Sequence, residues 1–261
     1  MGRVESANAA IAFQDVSFVL PDGHEVLSHL NLQVQRGETL VLLGRSGSGK
    51  TTTLKLVNRL VTPSRGEVRV DGASAKTAAD LFRLRRGIGY VIQEVGLFPH
   101  YTVEKNIALV PSVENWPLER IRTRVREMMQ LVGLDSSFAN RYPHQLSGGQ
   151  RQRVGVARAL AADPEILLMD EPFGALDPLT RDDLQQEFLA LQQRLHKTVL
   201  FVTHDLNEAL RLGTRIALME AGKLVTLLSP EEFLRSSDPL ASAYVRAFGS
   251  GLNSRAGQGM K

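Results

Sequence analysis

The chain has 261 residues, 43% of them hydrophobic and 23% charged, which is enough to bury a sizeable core in one elaborated domain. Its 31 basic and 28 acidic side chains leave a net charge of +3, too small a surplus to argue for a nucleic-acid partner. It contains no cysteine, which excludes disulfides and thiolate metal sites, and no apolar run approaches the roughly 18 to 20 residues of a membrane helix.

Strands of antiparallel character are expected at about Ile11–Phe18, Val26–Val34 and Glu67–Val70, the last closed by an Asp71-Gly72 turn. Between the second and third, the buried-looking strand Thr39–Leu43 runs into Gly44-Arg45-Ser46-Gly47-Ser48-Gly49-Lys50-Thr51, and a helix is predicted from Lys50 to about Leu60. Strand, loop and helix together fit the phosphate loop G-x-x-x-x-G-K-[ST]. The glycines let the backbone wrap tightly, so that N–H groups and the positive helix end face the phosphates of a nucleoside triphosphate. Lys50 then reaches the β and γ phosphates as a mobile point charge, the Thr51 hydroxyl ligates Mg²⁺, and Thr52 is a further donor to the α phosphate. Kinases, GTPases, helicases and transporters all carry such a loop, so the rest of the chain decides.

A strand at Ile88–Ile92 leads to Gln93. From about Glu94 to Gly155 the pattern is helical, and Pro117-Leu118-Glu119 opens an amphipathic run to Val132, as in an inserted helical subdomain. Leu146-Ser147-Gly148-Gly149-Gln150 precedes a helix from Gln150 to Ala162. The core resumes with the apolar strand Ile166–Met169, which delivers Asp170 and Glu171 at its C-terminal edge, where open α/β sheets bind ligands. Asp170 is placed to hold Mg²⁺, because a hard cation takes oxygen ligands, and Glu171 to orient or deprotonate an attacking water. A helix at Leu179–Leu195, strands at Val199–Val202 and Arg215–Met219, and an Ala221-Gly222 turn follow. Residues 249–261, with their Gly, Ser and Asn, are expected to form a flexible tail.

Leu146–Gln150 matches the signature sequence of ABC transporter ATP-binding subunits, and from about Ile11 to Phe248 the chain resembles that family. The resemblance implies an α/β fold: a P-loop NTPase (RecA-like) core with an antiparallel β subdomain and an α-helical subdomain inserted at about 94–155, all in one domain over residues 1–248. It implies ATP and Mg²⁺ as ligands and a homodimer in which Ser147, Gly148, Gly149 and Gln150 of one copy cap the γ phosphate bound to the other. Donors at a helix N-terminus suit that task. By the same resemblance Gln93 senses Mg²⁺ and the attacking water, His204 contacts the γ phosphate, and Asp177 lies at the dimer seam. Taken alone, these three read as a surface glutamine, a helix-capping neighbour and an N-cap acid before Pro178. Gly174 stands where the family commonly has serine, and Leu20 where it stacks an aromatic residue on adenine. Phe18, two residues earlier on the same strand face, either substitutes for that ring or packs in the core.

The segment Gly89–Pro111, with Leu56–Leu60 behind the phosphate loop, is similar to importers of quaternary amines such as glycine betaine, choline and carnitine. That resemblance implies an integral-membrane permease and, through it, a solute-binding protein as partners, with uptake driven by ATP. An amino-acid or other small-solute importer is the alternative, and a soluble ABC ATPase outside transport a further one. Leu97, Phe98 and Pro99 suit either a pocket for a permease helix or packing of the helical subdomain. The arginines at 83, 85 and 86 and at 120, 122, 124 and 126 read as solvated faces. Little sequence follows Phe248, so the C-terminal regulatory pair of domains that many such subunits carry is not expected. The first residues lack the basic start and apolar stretch of a secretory signal, and a peripheral place on the cytoplasmic face of the inner membrane is expected.

Overall fold

The computed structural model describes residues 8–74, 81–93 and 95–256. Residues 1–7 at the expected start of the domain, Glu94 at the expected start of the helical insertion, and 257–261 of the expected tail lie outside the described residues.

The chain opens with strands β1 (Ala9–Val19) and β2 (Glu25–Gln35), which pair antiparallel, followed by β3 (Thr39–Leu43) and helix α1 (Lys50–Val57). The helix stops short of the expected Leu60 because Arg59 takes a left-handed conformation, φ 52°, which ends the ladder. Strands β4 (Arg65–Val70) and the short β5 (Ala73–Ser74) complete a four-stranded antiparallel sheet in the order β2-β1-β4-β5. Helix α2 (Leu81–Arg86) leads into β6 (Ile88–Val91).

The helical insertion then comprises α3 (Val103–Ile107), α4 (Leu109–Val113), α5 (Leu118–Leu131) and α6 (Gly148–Leu160). The buried face of α5 carries Ile121, Val125, Met128 and Met129 at spacings of three and four, which is why an amphipathic run was legible there. Two devices brace the insertion from within. The buried Asn106 accepts from the Phe98 amide and donates to the carbonyls of Phe98, Tyr101 and Thr102, holding that loop in shape. Arg158 donates from both terminal nitrogens to the carbonyls of Val95 and Gly96, both at 2.7 Å, anchoring the segment just past Gln93 to α6.

The second half is β7 (Ile166–Asp170), α7 (Pro178–Leu195), β8 (Thr198–Thr203), α8 (Leu206–Leu212), β9 (Arg215–Glu220), β10 (Lys223–Leu228), α9 (Pro230–Leu234) and α10 (Pro239–Ala256). The regular backbone of α10 runs past Phe248, where the folded domain was expected to end. Its first turns are anchored by the buried Ala241 and Tyr244, and each further residue then adds a hydrogen bond at little cost. Among the described residues no helix is long and apolar enough to cross a membrane.

The main sheet has the order β10-β9-β3-β8-β7-β6, parallel except for β10. Every residue of β3, β7 and β8 is buried, as expected for strands covered on both faces. The alternation of side chains divides the core in two. Val41 and Leu43 face the helices, where Phe173, Phe188 and Phe201 meet with ring centroids 5.8 to 6.5 Å apart, while Leu40 and Leu42 face α1 and the antiparallel sheet. Register then fixes the site: Leu43 lies opposite Thr203, Asp170 opposite Val202, and Val91 opposite Met169. Gly44, His204, Glu171 and Gln93 therefore leave the sheet at one edge, the C-terminal one.

Candidate functional site

The cleft at that edge holds about 680 Å³ and is lined by the phosphate loop, by Gln93, Glu171 and His204, and by one face of α10. The loop has the shape its glycines were expected to give. Gly49, the residue before α1, has φ 95°, and a Cβ there would lie 2.5 Å from Leu27 Cδ2, so only glycine fits. Lys50, buried at the helix start, donates from Nζ to the carbonyls of Gly44 (2.7 Å) and Arg45 (2.8 Å), arching over its own loop. Burial holds its pKa below the usual lysine range, against the pull of Glu171 and Asp170. Arg45, Ser46 and Gly47 are exposed, Ser48 is buried, and Thr51 and Thr52 line the cleft half-buried.

The two adjacent acids diverge, as alternation along a strand requires. Asp170 is buried and accepts from the Thr51 hydroxyl at 3.0 Å; burial raises its pKa, helped by the neighbouring charge of Glu171. Glu171 turns out of the strand in the left-handed region, φ 43°, a conformation that costs a non-glycine residue free energy and that its amide holds by bonding to the Val202 carbonyl at 3.0 Å. Its Oε2 accepts from Gln93 Nε2 at 3.2 Å and lies 3.2 Å from His204 Nδ1. One carboxylate oxygen thus gathers the glutamine and the histidine over the mouth of the cleft, and a water seated there would meet a base held by two partners. A Cβ on Gly174 would stand in ordinary contact with Glu171, 3.7 Å from Oε2, so the glycine in place of a serine leaves this arrangement undisturbed.

Thr51, Asp170 and Gln93 offer a hydroxyl, a carboxylate and an amide carbonyl, the hard oxygen donors that Mg²⁺ prefers. Asp170 is also a buried acid whose ionised form lacks a full counter-charge, which a cation would supply. Among the described residues no group of three or more His, Asp or Glu side chains could hold a metal unaided.

The remaining sequence-predicted residues gather elsewhere. Ser147 caps α6: its hydroxyl accepts from the Gln150 amide at 3.2 Å, and Gln150 Oε1 accepts from the Ser147 amide at 2.9 Å, a reciprocal capping box. Asp177 caps α7, accepting from the Thr180 amide at 3.1 Å, and hydrogen bonding from the Thr180 side chain and then from its amide holds the Asp177 pKa down. The two caps touch, since a Cβ on Gly149 would meet Thr180 Cγ2 at 2.5 Å and one on Gly148 would meet Leu176 at 3.6 Å. This second patch lines no part of the cleft around its own phosphate loop.

Of the candidates for contact with a base, Phe18 is half-buried against the core, and Leu20 sits in an exposed turn bonded to His24; neither lines the cleft. Sequence reasoning missed the residues that do, Val26 of β2 and Tyr244 and Phe248 of α10. It also missed the buried Glu208, which accepts from Thr203 Oγ1 at 2.6 Å and from Gln185 Nε2 at 3.1 Å and so pins the strand end that presents His204. Burial raises the Glu208 pKa. An acid between Leu206 and Ala209 in a short apolar helix was the available signal.

Residues 27–174 match the model of the ABC transporter family. The chain is 49% identical over 226 residues to the choline transport ATP-binding protein OpuBA of Bacillus subtilis (strain 168), covering 87% of this chain and 59% of that protein. It is 50% identical over 238 residues to the glycine betaine uptake system ATP-binding protein YehX of Escherichia coli (strain K12), covering 91% of this chain and 76% of that one. Among solved structures it resembles the ATP-binding cassette MJ0796 in a dimeric post-hydrolysis state bound to ADP and Pi, with a TM-score of 0.77 and 35% identity over 84% of this chain and 98% of that one. The P-loop NTPase fold expected from the sequence is therefore the fold of this chain. The chain spans about three fifths of the length of the first of these relatives. With a family model over more than half its residues, and a relative half identical to it of which it covers three quarters, the chain belongs to the ABC transporter family as an ATP-binding domain.

Proposed function

We propose that this chain hydrolyses ATP as the energising subunit of an importer of quaternary amines such as glycine betaine or choline. The observation that carries the ATPase reading is the meeting of Gln93, Glu171 and His204 at a single carboxylate oxygen in the cleft of the phosphate loop. Support for the cargo comes from the relatives, which are named for choline and glycine betaine transport.

In this reading Lys50 and the loop amides of Gly44 to Thr52 bind the triphosphate, and Thr51, Asp170 and Gln93 are the residues that would hold Mg²⁺. When bound, Mg²⁺ neutralises charge on the β and γ phosphate oxygens. Glu171 orients the attacking water and takes its proton, and His204 steadies Glu171 and faces the γ phosphate. Ser147, Gly148, Gly149 and Gln150, with Asp177 beside them, complete the site of a second copy, so that two ATP molecules lie at a shared seam. Closure of that seam moves a permease docked in the groove that runs along β6 and Gly96. The groove is lined by Arg85, Gly89, Phe98, Leu109 and Arg158, and the exposed Phe98 ring packs with Tyr101 at its rim. The subunit then sits peripherally on the cytoplasmic face of the membrane, and a solute-binding protein delivers cargo to the permease.

The test is uptake of labelled glycine betaine and choline by cells carrying this subunit with its permease and binding protein, beside ATP turnover of the same complex with Glu171→Gln. Glu171→Gln is expected to keep ATP binding, to lose turnover by about 10²- to 10⁴-fold, and to lose uptake with it. Turnover near the wild-type rate would remove Glu171 from its role. Intact turnover without uptake of either amine would leave an importer of another small solute.

A further inference from the structure

The apolar half of the nucleotide cleft is built by α10. Leu240, Ala243, Tyr244, Ala247 and Phe248 fall at spacings of three and four, so they form one face of the helix, and that face lines the same cleft as the phosphate loop. Arg246, between them in sequence, is exposed on another face. The two alanines are small enough to leave a groove, and the rings of Tyr244 and Phe248 wall it, parallel to within 10° with centroids 6.1 Å apart. Arg45 of the phosphate loop lies close enough to act electrostatically on Tyr244. The apolar Val26 lines the cleft as well, beside Gly49, whose Cα approaches the Val26 carbonyl so closely that a Cβ would lie 3.0 Å from it.

The polar end of the cleft, with Lys50, Thr51 and Glu171, matches the charged part of a nucleoside triphosphate. What extends from the phosphates is a ribose and a flat aromatic base, and what extends from the loop is an apolar groove with two aromatic walls. The position where a stacking ring was expected holds Leu20, which does not line the cleft. We infer that the nucleobase of the bound nucleotide rests against Tyr244 and Phe248 of α10, so that the C-terminal helix supplies in cis the aromatic surface that the first strand lacks. Stacking on a ring face is tolerant of base identity, so this surface adds affinity for nucleosides as a class and does not by itself select adenine.

The inference rests on the proposal that ATP occupies the phosphate loop, and one experiment separates the two. Calorimetric titration of Mg-ATP and of inorganic tripolyphosphate would be run on the Glu171→Gln background, so that ATP is not consumed, with Tyr244→Ala, Phe248→Ala and Tyr244→Phe added in turn. Each alanine substitution is expected to weaken ATP roughly ten-fold, the scale of a lost base–ring stack, and to leave tripolyphosphate within two-fold of its starting affinity. Tyr244→Phe should retain ATP affinity. ATP affinity unchanged in both alanine variants would overturn the inference, and so would equal loss of ATP and tripolyphosphate, which would make α10 only a brace for the loop. A parent protein that binds neither ligand would overturn the nucleotide reading together with this one.

Discussion

At the scale of single residues the site separates two carboxylates that are neighbours in the chain. Asp170 stays inside the sheet with the Thr51 hydroxyl as its bonding partner, and Glu171 leaves it through a left-handed turn that the strand end enforces. The consequence for Asp170 can be measured without any substrate. Its folded-state pKa lies above the ordinary aspartate value because burial and the Glu171 charge both oppose ionisation. The folded protein therefore holds that proton more tightly than the unfolded chain does. Stability contributed by the protonated form is full at low pH and is lost as pH rises above 3.8 through the folded value. Asp170→Asn keeps an oxygen for Thr51 and removes the charge. We expect the nucleotide-free variant to melt higher than wild type at pH 7.5, by about 2–4 °C for each kcal/mol recovered, with the gap narrowing as pH falls. The same variant should lose Mg²⁺-dependent ATP turnover. Equal melting temperatures across pH 5 to 8, measured by calorimetry, would mean that the buried charge costs nothing.

At the scale of elements, the N-terminus of α6 has one observed duty and one proposed duty, and the two can be told apart. The Ser147 hydroxyl satisfies the Gln150 amide, and an exposed Ser147 side chain also stands where a second copy's phosphate is proposed to bind. Ser147→Ala should cost about 1 kcal/mol of stability as a lost cap, and Ser147→Gly only a few tenths. If the hydroxyl acts on nucleotide in a partner, both variants should lose turnover to a similar degree while ATP binding to isolated subunits is unchanged; loss that follows the stability ranking would reduce Ser147 to a cap. Much of this architecture was readable beforehand. The strands β3, β7 and β8 are mostly apolar because both faces are covered, and each leads into residues whose chemistry marks the sheet edge: Gly44, Asp170 with Glu171, and His204. The short helices α2, α8 and α9 were not readable, since fewer than two turns give no period to detect. For α10 the difficulty was different. Gly249, Ser250 and Gly251 suggested a tail, and although the spacing of Leu240, Tyr244 and Phe248 marks one apolar face, nothing local says that this face closes on the phosphate loop more than 190 residues earlier. Such a contact belongs to tertiary packing, as does the bond from Thr203 to Glu208.

At the scale of the molecule, the two groups of residues proposed to make up one site do not meet within a chain. The phosphate loop, Gln93, Glu171 and His204 share a cleft, while the caps of α6 and α7 form a separate patch beside the exposed Leu179, 80% accessible. A large apolar side chain left open next to two helix N-termini is what a seam between copies would cover. If the halves are joined only across such a seam, two defective proteins can repair each other. Lys50→Ala damages the phosphate loop and spares the signature; Ser147→Arg does the reverse. Neither should hydrolyse ATP alone. In an equal mixture half of the dimers are mixed, and each mixed dimer pairs one intact phosphate loop with one intact signature, so about a quarter of wild-type turnover should return if the two sites act independently. Recovery that rises with protein concentration, and that disappears when one partner carries both substitutions, would establish shared sites. No recovery at concentrations where wild type is active would mean that each chain completes its own site, and the patch on α6 and α7 would then need another explanation.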